Sequence, residues 1–99
     1  IYKKIYLMLE STSHEIWLKV YKLFAYHVDD DASIKKIKAN TLIITGENDI
    51  GSKPKMSENI SKLIPNSKYK TIKNGKHLCN IECAETFNIT VREFIDNNA

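Results

Sequence analysis

The sequence predicts an α/β fold in which two parallel strands, joined by a crossover helix, are flanked by further helices. The first strand is indicated by Thr41 to Thr45, a continuous apolar, β-branched run between Asn40 and Gly46, as expected for a strand covered on both faces of a parallel sheet. A second, shorter strand is predicted from Lys68 to Lys73, and a helical segment separates the two. A strand, helix and strand of this length imply a parallel pair with a right-handed crossover.

Length and composition restrict the class of protein. The chain has 99 residues, of which 42% are hydrophobic and 27% charged, as in one small globular domain with a modest core. Its lysines are spread along the sequence, so the net charge of +3 does not form a dense nucleic-acid-binding block. No apolar run approaches the roughly 20 residues that span a membrane. The chain starts at Ile1 and shows no secretory signal, and we expect that its amino end has been cut.

Cysteine usage indicates neither a zinc site nor a disulfide framework. Cys79 and Cys83 lie four residues apart, with no second pair and a single nearby histidine, so we expect two buried free thiols. Free thiols are typical of the cytoplasm, which is the expected location. No cofactor or metal is expected.

Two helices are predicted before the first strand. Hydrophobic spacing indicates a helix over the first ten residues, ended by Ser11 to Ser13. Thr12 and Glu15 have the spacing of a capping box, which predicts the start of the second helix, and Asp29 to Asp31 predict its end. The second helix carries an apolar stripe that requires a partner surface, formed by Ile16, Val20, Leu23, Phe24 and His27.

Two more helices alternate with the strands. A basic connector from Ser33 to Ala39 leads into the first strand, and Asn74 and Gly75 predict a turn after the second. Ser52 and Pro54 predict the start of the crossover helix and Pro65 its end. The predicted buried sides are Met56, Ile60, Leu63 and Ile64 in this helix, and Phe87, Val91, Phe94 and Ile95 in a final helix over Ala84 to Asp96.

Two side chains capable of acid–base chemistry follow the predicted strands. Asp49 lies four residues after the first predicted strand and His77 four after the second. Because reactive side chains of α/β sheets collect at the carboxyl ends of the strands, adjacent parallel strands would bring both residues to one edge. A carboxylate that accepts the imidazole Nδ1 proton sets the ring tautomer and stabilises the imidazolium formed when Nε2 takes a proton from a nucleophile. Asp49 and His77 are therefore the candidate catalytic residues.

The other candidates have simpler interpretations. Glu47, on the same loop, is the second choice for the acid. His14 and His27 are expected to be structural. The aromatic residues Trp17, Tyr21 and Phe24 fit a core or an interface better than a substrate pocket.

Two segments carry a family resemblance. The run from Ile37 to Asp49, Ile-Lys-Ala-Asn-Thr-Leu-Ile-Ile-Thr-Gly-Glu-Asn-Asp, resembles the α/β-hydrolase strand that delivers the catalytic acid, and Asn74 to Glu82 resembles the histidine loop of that family. Similar features lie between and after these motifs, so the resemblance covers residues 34 to 96. The sequence departs from the family's usual pattern where Asn40 and Ala84 replace Pro and Lys76 replaces Gly.

The resemblance implies the carboxyl-terminal fragment of a serine-type α/β-hydrolase that cleaves an ester, lactone or similar acyl bond of a small molecule. Residues 1–33 would be a helical cap or lid and residues 34–99 the end of the core, with Asp49 as catalytic acid and His77 as catalytic histidine. No G-x-S-x-G motif occurs, and the family's chain order places the nucleophile upstream of Ile1. The sequence looks most similar to enol-lactone hydrolases. Haloalkane dehalogenases and cofactor-free dioxygenases share the fold, and these residues do not distinguish the chain from them.

A second hypothesis is a non-catalytic interaction module derived from the same fold. Two strands and several amphipathic helices leave apolar surfaces that favour association. The expected partners are then the missing amino-terminal portion of the fold and, for the isolated chain, further copies of itself.

Overall fold

The chain forms two compact units, residues 1–30 and residues 31–99. The computed structural model describes residues 2–27 and 30–98. The first unit contains the two helices α1 (Tyr2–Glu10) and α2 (His14–Ala25). The second unit contains, in order, α3 (Asp31–Ile34), β1 (Thr41–Gly46), α4 (Pro54–Leu63), β2 (Ser67–Ile72), α5 (Cys79–Glu82) and α6 (Ala84–Asn97).

The junction between α1 and α2 corrects one prediction. Ser13, rather than Thr12, caps α2: its backbone is extended and its hydroxyl accepts a hydrogen bond from the Ile16 amide at 3.3 Å. The predicted capping box is therefore wrong by one residue, because the capping hydroxyl has to belong to the last extended residue before the helix. The indole of Trp17 also donates to the Leu9 carbonyl at 3.2 Å, which links the two helices of this unit.

The end of α2 and its apolar stripe differ from the sequence prediction. The helix ends at Ala25 with Tyr26 as its C-cap, so His27 lies beyond it, while the predicted terminator Asp29 lies outside the described residues. The predicted stripe stays largely exposed, with Leu23 at 76% and Phe24 at 80% of their full accessible surface.

The two strands pair in parallel, as the sequence predicted. Thr41 lies opposite Ser67 at one end of the register and Gly46 opposite Ile72 at the other. Ile72 is the most deeply buried side chain at 1% exposure, and Ile64 and Cys79 complete the small core. β1 is less covered than predicted, because only Thr45 and Gly46 are buried and its first four residues are half-buried.

The crossover helix α4 has the predicted bounds, and its predicted buried side is confirmed in part, since Ile64 is buried and Leu63 half-buried. Met56 and Ile60 are exposed. Ser57 faces β1, where its hydroxyl bonds that of Thr45, and Ser67 Oγ of β2 donates to the Ser61 backbone carbonyl at 2.7 Å. Hydrophobicity alone could not predict this face, since polar side chains are buried at low cost when they find hydrogen-bonding partners.

The two short helices were not predicted, and α6 matches its prediction apart from one residue. Phe87, Val91 and Phe94 are half-buried, whereas Ile95 is 57% exposed and was wrongly assigned to the buried side.

Both cysteines are free, with Cys79 buried and Cys83 half-buried. Burial and the neighbouring Cys83 raise the pKa of the Cys79 thiol. Within residues 2–27 and 30–98, no helix has the length and apolar character needed to cross a membrane.

Candidate active site

The carboxyl ends of the two strands define the candidate site. Gly46 and Ile72 end β1 and β2 and are opposite each other in the parallel register. The loops that follow therefore leave the sheet at the same edge. Asp49 lies three residues beyond the end of β1 and His77 five beyond the end of β2.

Asp49 and His77 are in direct contact. His77 Nδ1 lies 2.8 Å from Asp49 Oδ2, and the other carboxylate oxygen, Oδ1, accepts a hydrogen bond from the Ser52 amide at 2.9 Å. The Asp49 side chain is 6% exposed and the His77 side chain 73%. A nearly buried carboxylate thus holds a ring whose remaining surface is open to a reacting group.

The environment of Asp49 favours its ionised form. The Ser52 amide contributes most to lowering the pKa of this carboxyl below its ordinary value, and the His77 hydrogen bond contributes next, against an opposing effect of burial. The carboxylate is therefore charged at neutral pH and is the natural acceptor for an Nδ1 proton. The sequence did not predict the Ser52 hydrogen bond, because its donor is a backbone amide, which almost every residue type has.

Three hydrogen bonds join the loop after β1 to the end of β2 and the loop that follows it. The Glu47 amide donates to the Ile72 carbonyl at 2.9 Å, and the Asn48 amide donates to the Gly75 carbonyl at 2.8 Å. The Asn74 amide donates to Glu47 Oε2 at 2.9 Å. The loops that carry Asp49 and His77 are thus joined to each other directly.

Two backbone features permit this close approach. Asn74 has a φ of 62°, in the left-handed region that Asn tolerates better than most residues. A Cβ atom added to Gly46 would overlap the Lys76 carbonyl oxygen and lie 2.5 Å from that of Gly75. Among the described non-glycine residues only Asn74 has a positive φ, so Lys76 occupies its position without left-handed strain.

The remaining candidates lie elsewhere or have other partners. Glu47, the alternative acid, bonds the Asn74 amide, whereas Asp49 bonds the ring. His14 and His27 belong to the first unit. No group of three His, Cys, Asp or Glu side chains in the described part of the chain could hold a metal ion. An open crevice borders Asp49 and is lined by Glu47, Asn48, Ile50, Lys53, Pro54, Lys55 and Lys76.

Comparison with known proteins identifies related structures. No protein-family model and no curated protein sequence matches the chain. A crystal structure of a variant of the meta-cleavage product hydrolase CumD is similar, with 29% identity, a TM-score of 0.64, and coverage of 70% of this chain and 26% of that chain. A second variant of CumD, from Pseudomonas fluorescens IP01 and in complex with acetates, gives 28% identity, a TM-score of 0.65, and coverage of 73% and 26%.

The fold is that of the carboxyl-terminal portion of an α/β-hydrolase, as the sequence predicted. Over this portion the chain is similar to a meta-cleavage product hydrolase, and it spans about a quarter of the length of those structures.

Proposed function

We propose that this chain supplies the catalytic acid and the catalytic histidine of a serine-type α/β-hydrolase that cleaves an ester, lactone or similar acyl bond. The observation that carries the proposal is the 2.8 Å contact between His77 Nδ1 and Asp49 Oδ2 at the carboxyl edge of the parallel strands. In this role Asp49 orients the ring and stabilises its protonated form. His77 is the general base for the nucleophile and then the general acid for the leaving group.

The nucleophile in this proposal comes from outside the 99 residues. Asp49 occupies Nδ1, so Nε2 is the nitrogen that takes the proton from the attacking hydroxyl. The large exposed fraction of the His77 side chain, 73%, supports this role, since the ring has room for a partner. An oxyanion hole would likewise be formed by other parts of the hydrolase.

Hydrolysis of an aryl ester by a protein that carries both this chain and its nucleophile tests the proposal. His77→Ala should lower kcat by about 10⁴-fold or more, as expected when the base of a triad is removed. His14→Ala, in α2, is the matched control and should leave kcat unchanged. A His77→Ala protein with kcat within a few-fold of the unsubstituted one would contradict the assignment.

The proposed substrate class, an ester, lactone or similar acyl compound, is not limited to the substrates of one α/β-hydrolase subgroup. The sequence favours a small ester or enol-lactone, while the similar structures are of a meta-cleavage product hydrolase. A panel of an aryl ester, a lactone and a meta-cleavage product, compared by kcat/KM, would separate these choices. We also propose a cytoplasmic location, because Cys79 and Cys83 are free thiols.

A non-catalytic, associating module is the second candidate function. The exposed apolar side chains of α2, among them Leu23 and Phe24, favour it because surfaces of this kind mark protein interfaces. Its partners would be the remaining portion of the hydrolase fold or another copy of the chain. Ester hydrolysis that depends on His77 would decide between the two candidates in favour of the enzyme.

A further inference from the structure

Glu47 connects the loop that carries Asp49 to the segment that leads to His77, through one backbone and one side-chain hydrogen bond. Its backbone amide donates to the Ile72 carbonyl and its side-chain Oε2 accepts from the Asn74 amide, each at 2.9 Å. Glu47 is therefore bonded both to the last residue of β2 and to Asn74 in the loop two residues further on.

The Asn74 amide is available to Glu47 because of the local turn. The Gly75 amide donates to the Ile72 carbonyl at 3.0 Å, which closes a four-residue turn with Asn74 at its third position. A positive φ at that position, 62° here, is what a type II turn requires. The Asn74 amide is not used within the turn, so the carboxylate of Glu47 is its partner.

The consequences reach His77, three residues after Asn74. Hydrogen bonds to an ionised acceptor are stronger than those between neutral groups, and this one joins residues 27 apart in the chain. Its first-loop end lies two residues from Asp49. The bond therefore bridges the two loops beside the Asp49–His77 contact.

We propose that Glu47 is a positioning residue: through the Asn74 amide it keeps His77 within hydrogen-bonding distance of Asp49. Glu47 touches neither the ring nor Asp49's carboxylate in this role. The inference rests on the Asp49–His77 pair of the proposed function. Its test can nevertheless be made on the 99-residue chain without any catalytic activity.

The test uses nitrogen NMR of the chain labelled with ¹⁵N-histidine, in which the ring nitrogen shifts report the tautomer of His77. The unsubstituted chain should hold the proton on Nδ1, facing Asp49. Glu47→Ala should lower the ratio of this paired tautomer to the alternative about tenfold or more, the loss expected for a hydrogen bond to a charged group. Glu47→Gln, which is equally uncharged but keeps an acceptor oxygen, should stay within about threefold of the unsubstituted ratio.

Two further variants separate positioning from charge and from general stability. Glu47→Asp keeps the charge but is one methylene shorter, and should behave like Glu47→Ala. Glu58→Ala is the matched control, because Glu58 pairs with Lys55 and Lys62 on its own helix and should leave the His77 tautomer unchanged. The amide spectrum shows whether each variant is folded.

The outcomes are distinct. A folded Glu47→Ala or Glu47→Asp chain with altered His77 and a rescued Glu47→Gln chain would support the proposal. An unchanged His77 tautomer in both Glu47→Ala and Glu47→Asp would overturn the proposal. Unfolding of both variants would also overturn it, because Glu47 would then be a general structural residue. Absence of the Nδ1 tautomer in the unsubstituted chain would overturn the proposed function as well, so the two failures are distinguishable.

Discussion

At the scale of single residues, the unequal exposure of Asp49 and His77 is the important feature. Both oxygens of the nearly buried Asp49 carboxylate have a donor, the Ser52 amide or the His77 ring. Its orientation is therefore set from two sides, as a residue that orients a general base requires. The imidazole is held at one nitrogen and exposed over most of its surface, which suits a group that exchanges protons with a nucleophile.

The lowered pKa of Asp49 makes stability depend on pH in a predictable direction. A carboxyl whose pKa is lower in the folded than in the unfolded state contributes stability above its unfolded pKa. That contribution is lost as the pH falls through the folded value. Asp49→Asn should therefore flatten the fall in the free energy of unfolding between about pH 5 and pH 2.

Urea unfolding at several pH values in this range checks the prediction. Asp96→Asn, which removes an exposed carboxyl near the end of α6, is the matched control and should keep the unsubstituted pH dependence. If Asp49→Asn and the unsubstituted chain lose stability in parallel, the hydrogen bonds to Asp49 do not contribute as described.

At the scale of elements, the loops after β1 and β2 act as one piece of structure. They approach so closely that Gly46 has no room for a side chain. The nearest atoms to a Cβ at Gly46 would be the backbone carbonyls of Gly75 and Lys76. Backbone atoms cannot move aside as the end of a flexible side chain could. The geometry of the candidate site therefore depends on the absence of a side chain at Gly46.

Alanine substitution of two glycines tests this tight approach. Gly46→Ala should destabilise the chain by about 1 to 3 kcal/mol through overpacking and should displace His77 from Asp49. Gly51→Ala is the matched control, because its Cβ would meet only Asp49 Oδ1 at 3.9 Å, and it should be neutral or stabilising by up to about 1 kcal/mol. Chemical denaturation measures both changes, and equal effects at the two positions would contradict the contact.

At the scale of the whole molecule, the exposed apolar surface is large for a chain of this size. The first unit alone exposes most of Tyr2, Tyr21, Leu23, Phe24 and Tyr26. The second unit has a sheet of two strands, β1 and β2, and a sheet this small has unpaired edges on both sides that favour addition of further strands. Both features favour association in solution.

We predict that the isolated 99-residue chain self-associates. Light scattering across a concentration series should give a mass above that of the monomer, 11.4 kDa. Combined Leu23→Glu and Phe24→Glu substitutions should shift the equilibrium toward monomer, because they place charge on the exposed apolar stripe of α2. Lys22→Glu is the control for charge alone. A monomeric mass at all concentrations, with cooperative thermal unfolding, would contradict this prediction.

The elements with a strong local signal were predictable and the others were not. The runs at β1 and β2, Pro54 at the start of α4 and the apolar period of α6 are all properties of neighbouring residues. The four-residue helices α3 and α5 are too short to show a period. The inner face of α4 was mispredicted at Met56 and Ile60, since hydrophobicity does not reveal that Ser57 finds a partner in Thr45.

The sequence by itself determined the order and type of the main elements, and it predicted Asp49 and His77 as the candidate catalytic side chains. Only the tertiary structure decided which atoms meet: Nδ1 with Oδ2, the Ser52 amide with Oδ1, and Glu47 with Asn74. Hydrophobic period and turn propensity act over a few residues. The Asp49–His77 contact joins positions 28 apart and depends on the register of two parallel strands.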